Sequence, residues 1–233
     1  MGIVRMGVPE DVAQFISDKY NVDTFVETGT FHGDTAVWAS QKFKSVKTVE
    51  FSKEIYDATT AKHGAVPNIE FLFGDSRDHI KNLAATLKQP ALFWLDAHWC
   101  GVNSYGKEDQ CPLIDELTFL MDSGVDHFIL IDDARLFESP PPLPNSTKYY
   151  PDLYQILSTL HKDKKRYTCI FEDVIISVPG FAREQFVEFM QVKSTKGWKD
   201  YGQELKRRAE IIALGRVRRS FFEVWKIWFP DTK

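Results

Sequence analysis

Residues Thr24-Phe25-Val26-Glu27-Thr28-Gly29-Thr30-Phe31-His32-Gly33-Asp34-Thr35 pass from a short apolar run into a glycine-bearing turn and then into a helical pattern. A strand closing on Glu27, a turn spaced Glu-x-Gly-x-x-x-Gly and a helix starting at Asp34 together read as the opening of a βαβ unit. The glycines let backbone approach a ligand at the helix N-terminus. This is not the Gly-x-Gly-x-x-Gly of dinucleotide binders, because Phe31 replaces the middle glycine.

Outward from this turn the same alternation repeats. Apolar runs at Thr24 to Glu27, Val46 to Glu50, Ile69 to Phe73, Ala91 to Asp96 and Phe128 to Asp132 are rich in β-branched and aromatic residues, and each gap is long enough for a crossover helix. The helices are expected at Pro9 to Lys19, Asp34 to Lys42, Lys53 to Lys62, Ser76 to Leu87 and Leu113 to Asp122, the last ended by Gly124. After Arg135 the pattern changes: Ser139 to Asn145 is a proline-rich surface loop, then come a helix from Pro151 to His161 and an antiparallel hairpin of Tyr167 to Phe171 with Val174 to Val178. Beyond Gly180 three helices are expected, around Glu184 to Met190, Tyr201 to Leu214 and Arg218 to Trp228. The expected fold is α/β: a Rossmann-like parallel sheet with a C-terminal antiparallel hairpin and helices on both faces. Residues 1–180 form the sheet domain and 181–233 a helical appendage.

Composition agrees with this class. The 233 residues are 43% hydrophobic and 27% charged, and 18 Phe, 8 Tyr and 6 Trp can fill a sizeable core, which excludes disordered and low-complexity classes. No apolar run approaches the ~18 residues of a membrane span, and the opening residues lack the apolar stretch of a secretory signal, so a cytoplasmic location is expected. Cys100, Cys111 and Cys169 are an odd count at no metal-binding spacing, which fits reduced thiols. The net charge of −4 is unevenly spread. From Gln191 onward Lys and Arg outnumber Asp and Glu by 11 to 5, leaving this tail at +6 and the preceding body at −10. An acidic body argues against nucleic acid as a partner. The basic tail, interleaved with Phe221, Phe222, Trp225, Trp228 and Phe229, suits packing on the body or on a second subunit as a homodimer, or contact with an anionic membrane surface.

Ligands of open parallel sheets bind outside the carboxyl ends of the strands. Strand one ends in the Glu27 turn. Strand two ends in Glu50, 23 residues later, where a carboxylate can accept both hydroxyls of a ribose or, more plainly, cap a helix. Strand three ends in Gly74-Asp75-Ser76-Arg77, a polar turn able to meet a base edge, although Asp75 is also an ordinary turn-former. Three successive strand ends therefore fit one nucleoside-like ligand.

The series Val26 to Gly33, Thr48-Val49-Glu50, Phe73-Gly74-Asp75-Ser76 and Phe93-Trp94-Leu95-Asp96 resembles the motifs of class I S-adenosylmethionine-dependent methyltransferases over roughly residues 20 to 180. Phe31 in place of a glycine resembles the catechol O-methyltransferase branch. The resemblance implies S-adenosylmethionine as cofactor. Gly29 and Gly33, with Thr30 and Phe31 between them, would flank its methionine part and Thr35 would lie near its carboxylate. Glu50 would hold the ribose and Asp75 with Ser76 would border the adenine. Glu27 would act from the first turn, and Asp96 from the end of strand four.

A second constellation is acidic. Strand four ends Leu95-Asp96-Ala97-His98 and strand five Ile131-Asp132-Asp133-Ala134. If these ends are neighbours, three carboxylates converge, at a cost that a cation would relieve, unless they are merely solvated strand-end acids. Oxygen ligands suit Mg²⁺ or Mn²⁺. In metal-dependent O-methyltransferases a similar trio holds Mg²⁺, and Asp96, Asp132 and Asp133 match it. The Asp132-Asp133 pair looks more like the antibiotic-sugar and macrolide branch than the Asp-Asn of the catechol branch. A cation on an acceptor hydroxyl lowers its pKa, so that a base can take the proton. His98, two residues past Asp96, stands where the antibiotic-sugar branch places its candidate base; the other reading is a rim histidine bonded to an acid. Cys100 stands where the catechol branch has a lysine, which speaks against a lysine mechanism.

The loops Cys100 to Cys111, with Asn103, Tyr105 and Lys107, and Pro140 to Tyr150 are the expected cover over the site. The resulting expectation is a metal-assisted O-methyltransferase acting on a sugar, glycan precursor or small polar metabolite. Two alternatives stay open. The acids and His98 are also similar to the iron site of cephalosporin hydroxylase-type proteins on the same fold, and the chain could be a non-catalytic nucleoside-binding module.

Overall fold

The computed structural model describes residues 7–99, 106, 108–162 and 165–228, with the backbone alone at residue 209 and at 211–228. The chain divides into two compact units, one ending at Arg183 and the other beginning at Glu184.

The first unit is built on a seven-stranded sheet. Strands β1 (Thr24–Thr28), β2 (Ser45–Glu50), β3 (Ile69–Phe73), β4 (Leu92–Leu95) and β5 (Phe128–Ile131) are parallel, while β6 (Arg166–Phe171) and β7 (Val174–Pro179) form an antiparallel edge. Their order is β3-β2-β1-β4-β5-β7-β6. All five expected parallel strands and the hairpin are present. The strands β4 and β5, Leu-Phe-Trp-Leu and Phe-Ile-Leu-Ile, are buried along their whole length, as strands covered on both faces require.

Helices α1 (Glu10–Tyr20), α2 (Asp34–Ser40), α3 (Lys53–His63), α4 (Ser76–Thr86) and α5 (Leu113–Asp122) fill the positions that periodicity predicts, to within two residues. Gly124, at φ +76°, breaks the chain after α5. A short helix, α6 (Arg135–Glu138), precedes the proline-rich loop where no helix is expected. Helix α7 (Leu153–His161) starts two residues later than Pro151 because a capping box closes it: Gln155 N donates to Asp152 Oδ1 at 2.8 Å and Asp152 N to Gln155 Oε1 at 2.9 Å. The main core packs Val26, Phe93, Leu95, Ile129 and Ile131 of the sheet against Leu117 and Leu120 of α5 and Ile156 and Leu160 of α7.

Arg166 is buried at the antiparallel edge. Its guanidinium donates to Ser177 Oγ (2.8 Å), the Ser177 carbonyl (2.9 Å) and the His127 carbonyl (2.7 Å), tying β6 to β7 and to the start of β5. Burial pushes its pKa down to about 10.

The tail corrects an expectation. Instead of three helices it contains one, α8 (Arg183–Trp228), 46 residues long. Gly197, Gly202 and Gly215 lie inside it. An interior glycine costs only about 1 kcal/mol against alanine, and no proline occurs over this span to stop propagation. No helix among the described residues is long and apolar enough to cross a membrane.

Candidate active site

The sheet changes direction of travel at β1, which has β2 on one side and β4 on the other. Such a switch point opens a crevice at the carboxyl ends of the strands, and the polar strand ends surround it here. Register sets which of them are neighbours. Thr28 pairs Leu95, and Leu95 pairs Ile131, so Asp96 and Asp132 each follow the last paired residue of adjacent strands. Asp96 N donates to the Thr28 carbonyl (3.2 Å) and Asp132 N to the Leu95 carbonyl (3.1 Å), continuing the ladder into the loops.

The first turn is held tightly. Gly29 has φ +89°, and a Cβ there would lie 2.7 Å from the Asp96 carbonyl, so glycine is what allows the ends of β1 and β4 to approach. Gly33, at φ +79°, leads into α2, and a Cβ there would meet Thr59 at 2.8 Å. Between them Phe31 adopts φ +47° and leaves its ring exposed. Its amide donates to Glu50 Oε2 at 3.0 Å, and its carbonyl accepts from Thr59 Oγ1 at 2.7 Å. The other Glu50 oxygen accepts from Ser52 N at 2.8 Å. Glu50 is thus a buried acid whose two oxygens are each anchored by a backbone N–H, while Ser52, not Glu50, caps α3. Phe51 and Phe73, exposed at the ends of β2 and β3, add apolar surface on this side, with Phe73 packed on Tyr56 at 5.4 Å.

Glu27 is buried beneath the turn. The register Glu27 to Thr48 puts the Thr48 hydroxyl 2.7 Å from Glu27 Oε2, and Thr30 Oγ1 lies 2.6 Å from the same hydroxyl. Burial raises the Glu27 pKa to about 8, an effect that Thr48 and Thr35 partly offset and Glu50 reinforces.

Asp75 caps α4, accepting from Arg77 N at 2.9 Å, and its carboxylate is gripped by the Arg77 guanidinium at 2.7 Å. Ser76 is buried beside it. Glu116, on α5, was not singled out by the sequence. Its carboxyl is buried, and that burial drives its pKa up to about 7; Ser76, Thr28 and Arg77 oppose the rise and Asp75 adds to it. The helical period could have found it: Glu116 lies three residues after Leu113 and four before Leu120, on the apolar stripe of α5, whereas Asp115 and Asp122 fall on the opposite side.

The acidic constellation does assemble, around His98. Its Nε2 is 2.7 Å from Asp133 Oδ2 and its Nδ1 is 3.4 Å from Asp96 Oδ1. Arg135 Nη1 lies 2.6 Å from Asp133 Oδ1 and also pairs with Asp173, at the turn of the β6–β7 hairpin, whose Oδ1 accepts from Arg135 N at 2.9 Å. Asp132 is buried and accepts from Asp133 N at 2.7 Å. Desolvation first, then the charges of Asp132, Asp133 and Glu27, push the Asp96 carboxyl well above the ordinary range. Burial and the Asp133 charge raise Asp132 to about 7. Burial also works on Asp133, but His98 and Arg135 outweigh it and hold this carboxyl below its ordinary value.

Asp133 therefore stays ionised and serves as the acceptor beside His98 Nε2. Among the described residues no group of three or more His, Cys, Asp or Glu side chains is placed to hold a metal ion. Both oxygens of Asp133, the expected third ligand, are occupied by cationic or donor side chains. As arranged, the residues present do not fit the expected Mg²⁺ or Mn²⁺.

Of the expected cover, Cys100, Asn103, Tyr105 and Lys107 lie outside the described residues. The Pro140 to Tyr150 loop is tied beside His98: Tyr150 Oη donates to the Trp99 carbonyl (3.4 Å), Ser146 N to Gln110 Oε1 (2.8 Å), and Trp99 N to the Gln110 carbonyl (2.8 Å).

No known family model matches the sequence, and no curated protein does. Solved structures do resemble it. The O-methyltransferase TomG from Streptomyces achromogenes, involved in tomaymycin synthesis and in complex with S-adenosylmethionine, superposes with a TM-score of 0.53 at 12% identity, over 76% of this chain and 82% of that one. An O-methyltransferase from Bacillus cereus, in complex with S-adenosylhomocysteine, gives 0.50 at 14% identity, over 74% and 82%. At such identities the likeness is one of architecture: this chain is built on the fold of S-adenosylmethionine-dependent O-methyltransferases.

Proposed function

We propose that the protein is an S-adenosylmethionine-dependent O-methyltransferase acting on a hydroxyl of a small polar acceptor, such as a sugar or glycan precursor. The observation that carries this reading is Glu50. It is an anchored acid at the end of β2, beside the Gly29 to Gly33 turn and at the switch point of the sheet, where a ribose is held in this class of fold. The fold likeness and the exposed Phe31, Phe51 and Phe73 around it support the same reading.

The chemistry asked of the chain is modest. The methyl group of a sulfonium is already activated, so the protein aligns the acceptor oxygen and excludes water. The oxygen attacks the methyl carbon, the carbon–sulfur bond breaks toward sulfur, and the hydroxyl proton passes to His98 Nδ1. Asp133 holds the ring by its other nitrogen. No step runs through a metal ion. The Mg²⁺ or Mn²⁺ site expected on Asp96, Asp132 and Asp133 would require Asp133 to exchange His98 and Arg135 for the ion. The iron-hydroxylase alternative has less support, since His98 is the one histidine paired with these acids among the described residues.

Calorimetric titration with S-adenosylmethionine, with and without Mg²⁺, tests this. Micromolar binding that Glu50→Ala and Glu50→Gln each weaken at least tenfold, about 1.4 kcal/mol, is the expected result. Absence of binding by the folded wild type would remove the methyltransferase reading.

A further inference from the structure

The helix α8 carries a face that the methyl-transfer chemistry does not use. Trp198, Tyr201 and Leu205 are 72%, 56% and 47% exposed. At about 100° per residue they fall within an arc of roughly 60°. The other positions within about 60° of Trp198, namely Gln191, Ser194, Thr195 and Gly202, are uncharged, whereas Val192 stands about 120° away. Every charged residue from Lys193 to Arg208 lies about 80° or more from Trp198.

The charges that flank this face are basic. Lys206 and Arg208 stand about 80° to either side of Trp198 and Lys199 about 100° away, so basic side chains border the apolar face. Asp200 and Glu204 lie about 120° or more from Trp198. Glu204 is further neutralised by Arg207 and Arg208, both at 2.8 Å. Between Gln191 and Arg208 there are six Lys and Arg against two Asp and Glu.

We propose that this face of α8 lies on an anionic lipid bilayer, with Trp198, Tyr201 and Leu205 in the headgroup region and Lys199, Lys206 and Arg208 reaching its phosphates. Tryptophan and tyrosine favour that depth because their rings are apolar and their tips polar, and lysine and arginine extend their stems over apolar surface while keeping their charge in the polar layer. A second copy fits less well. Two such faces packed together would bring the bordering cations against one another, and three apolar side chains over about two turns are a small interface for a stable dimer. The two acids, Asp200 and Glu204, lie on the side away from the bilayer. This placement stands independently of the methyltransferase reading.

Flotation of the full chain with phosphatidylcholine vesicles, and with vesicles of roughly one-third phosphatidylserine, tests the proposal. Sedimentation velocity without vesicles accompanies it. The expected result is binding to the anionic vesicles alone, weakened at least tenfold by W198S/Y201S/L205S, by K199Q/K206Q/R208Q and by high salt. The second triple variant keeps the apolar face, so a fold defect in the first leaves the test intact. Failure of the wild type to bind anionic vesicles at low salt would overturn it, as would binding that neither variant reduces. A dimer that W198S/Y201S/L205S dissociates, without vesicle binding, would overturn it in favour of self-association.

Discussion

His98 bridges two strand ends, with Nε2 2.7 Å from Asp133 beyond β5 and Nδ1 3.4 Å from Asp96 beyond β4. In the proposed mechanism Asp133 orients the ring and Nδ1 takes the acceptor proton. Replacing His98 by Asn keeps a polar group but removes the base, and is expected to lower kcat by about 10² to 10⁴ with S-adenosylmethionine affinity unchanged. Single-turnover kinetics beside calorimetry separates the two quantities. An unchanged chemical rate would demote His98 to a rim residue.

Arg135 occupies one of the two Asp133 oxygens on which a divalent cation could bind. Arg135→Ala is expected to tighten Mn²⁺ binding at least fivefold, as read by electron paramagnetic resonance of free Mn²⁺. The pair is partly exposed, so its loss should cost stability about 1 kcal/mol or less. Equal Mn²⁺ affinity in both proteins would show that the guanidinium and the ion do not compete.

The buried carboxyls Glu27 and Glu116 make stability depend on pH. Burial raises their folded-state pKa values to about 8 and about 7, above the ordinary 4.5. The folded protein therefore binds their protons more tightly than the unfolded chain does. Their contribution is complete below about pH 4.5 and is lost as pH rises through the folded values. Melting curves between pH 5 and pH 8.5 should show the wild type losing stability over that range and Glu116→Gln losing less, by about 1 kcal/mol or more. Parallel curves would mean that Glu116 is already ionised when folded.

Gly29 tests the close approach of β1 and β4. Gly29→Ala puts a methyl group 2.7 Å from the Asp96 carbonyl at φ +89°, and is expected to cost at least about 2 kcal/mol and to abolish cofactor binding. Gly124→Ala has a similar φ of +76° but nothing within 4 Å, so it should cost only the local strain, about 1 kcal/mol. Urea denaturation of both proteins gives the comparison.

Much of the site was legible because its parts sit at strand ends. A fully buried strand is a continuous apolar run, and the polar residue that ends it is conspicuous, which is how Glu27, Glu50, Asp96 and Asp132 emerge from the sequence. Asp173 had no such signal. It lies 38 residues from its partner Arg135, at φ +71° in a hairpin turn, and becomes relevant only because β7 returns antiparallel beside β5. The contact of Thr48 with Glu27 had no such signal either, since it depends on the register of β1 against β2.

By itself the sequence determined the strands and the helices that cross between them, the glycine-bearing turn and the acids available at the strand ends. These follow from hydrophobic period and local backbone preference, which act within a few residues. The tertiary structure decided the strand order, the cations that face Asp133 and the burial that raises Glu27 and Glu116. Those outcomes depend on which distant groups become neighbours and on how far water is excluded, and neither property belongs to any short stretch of chain.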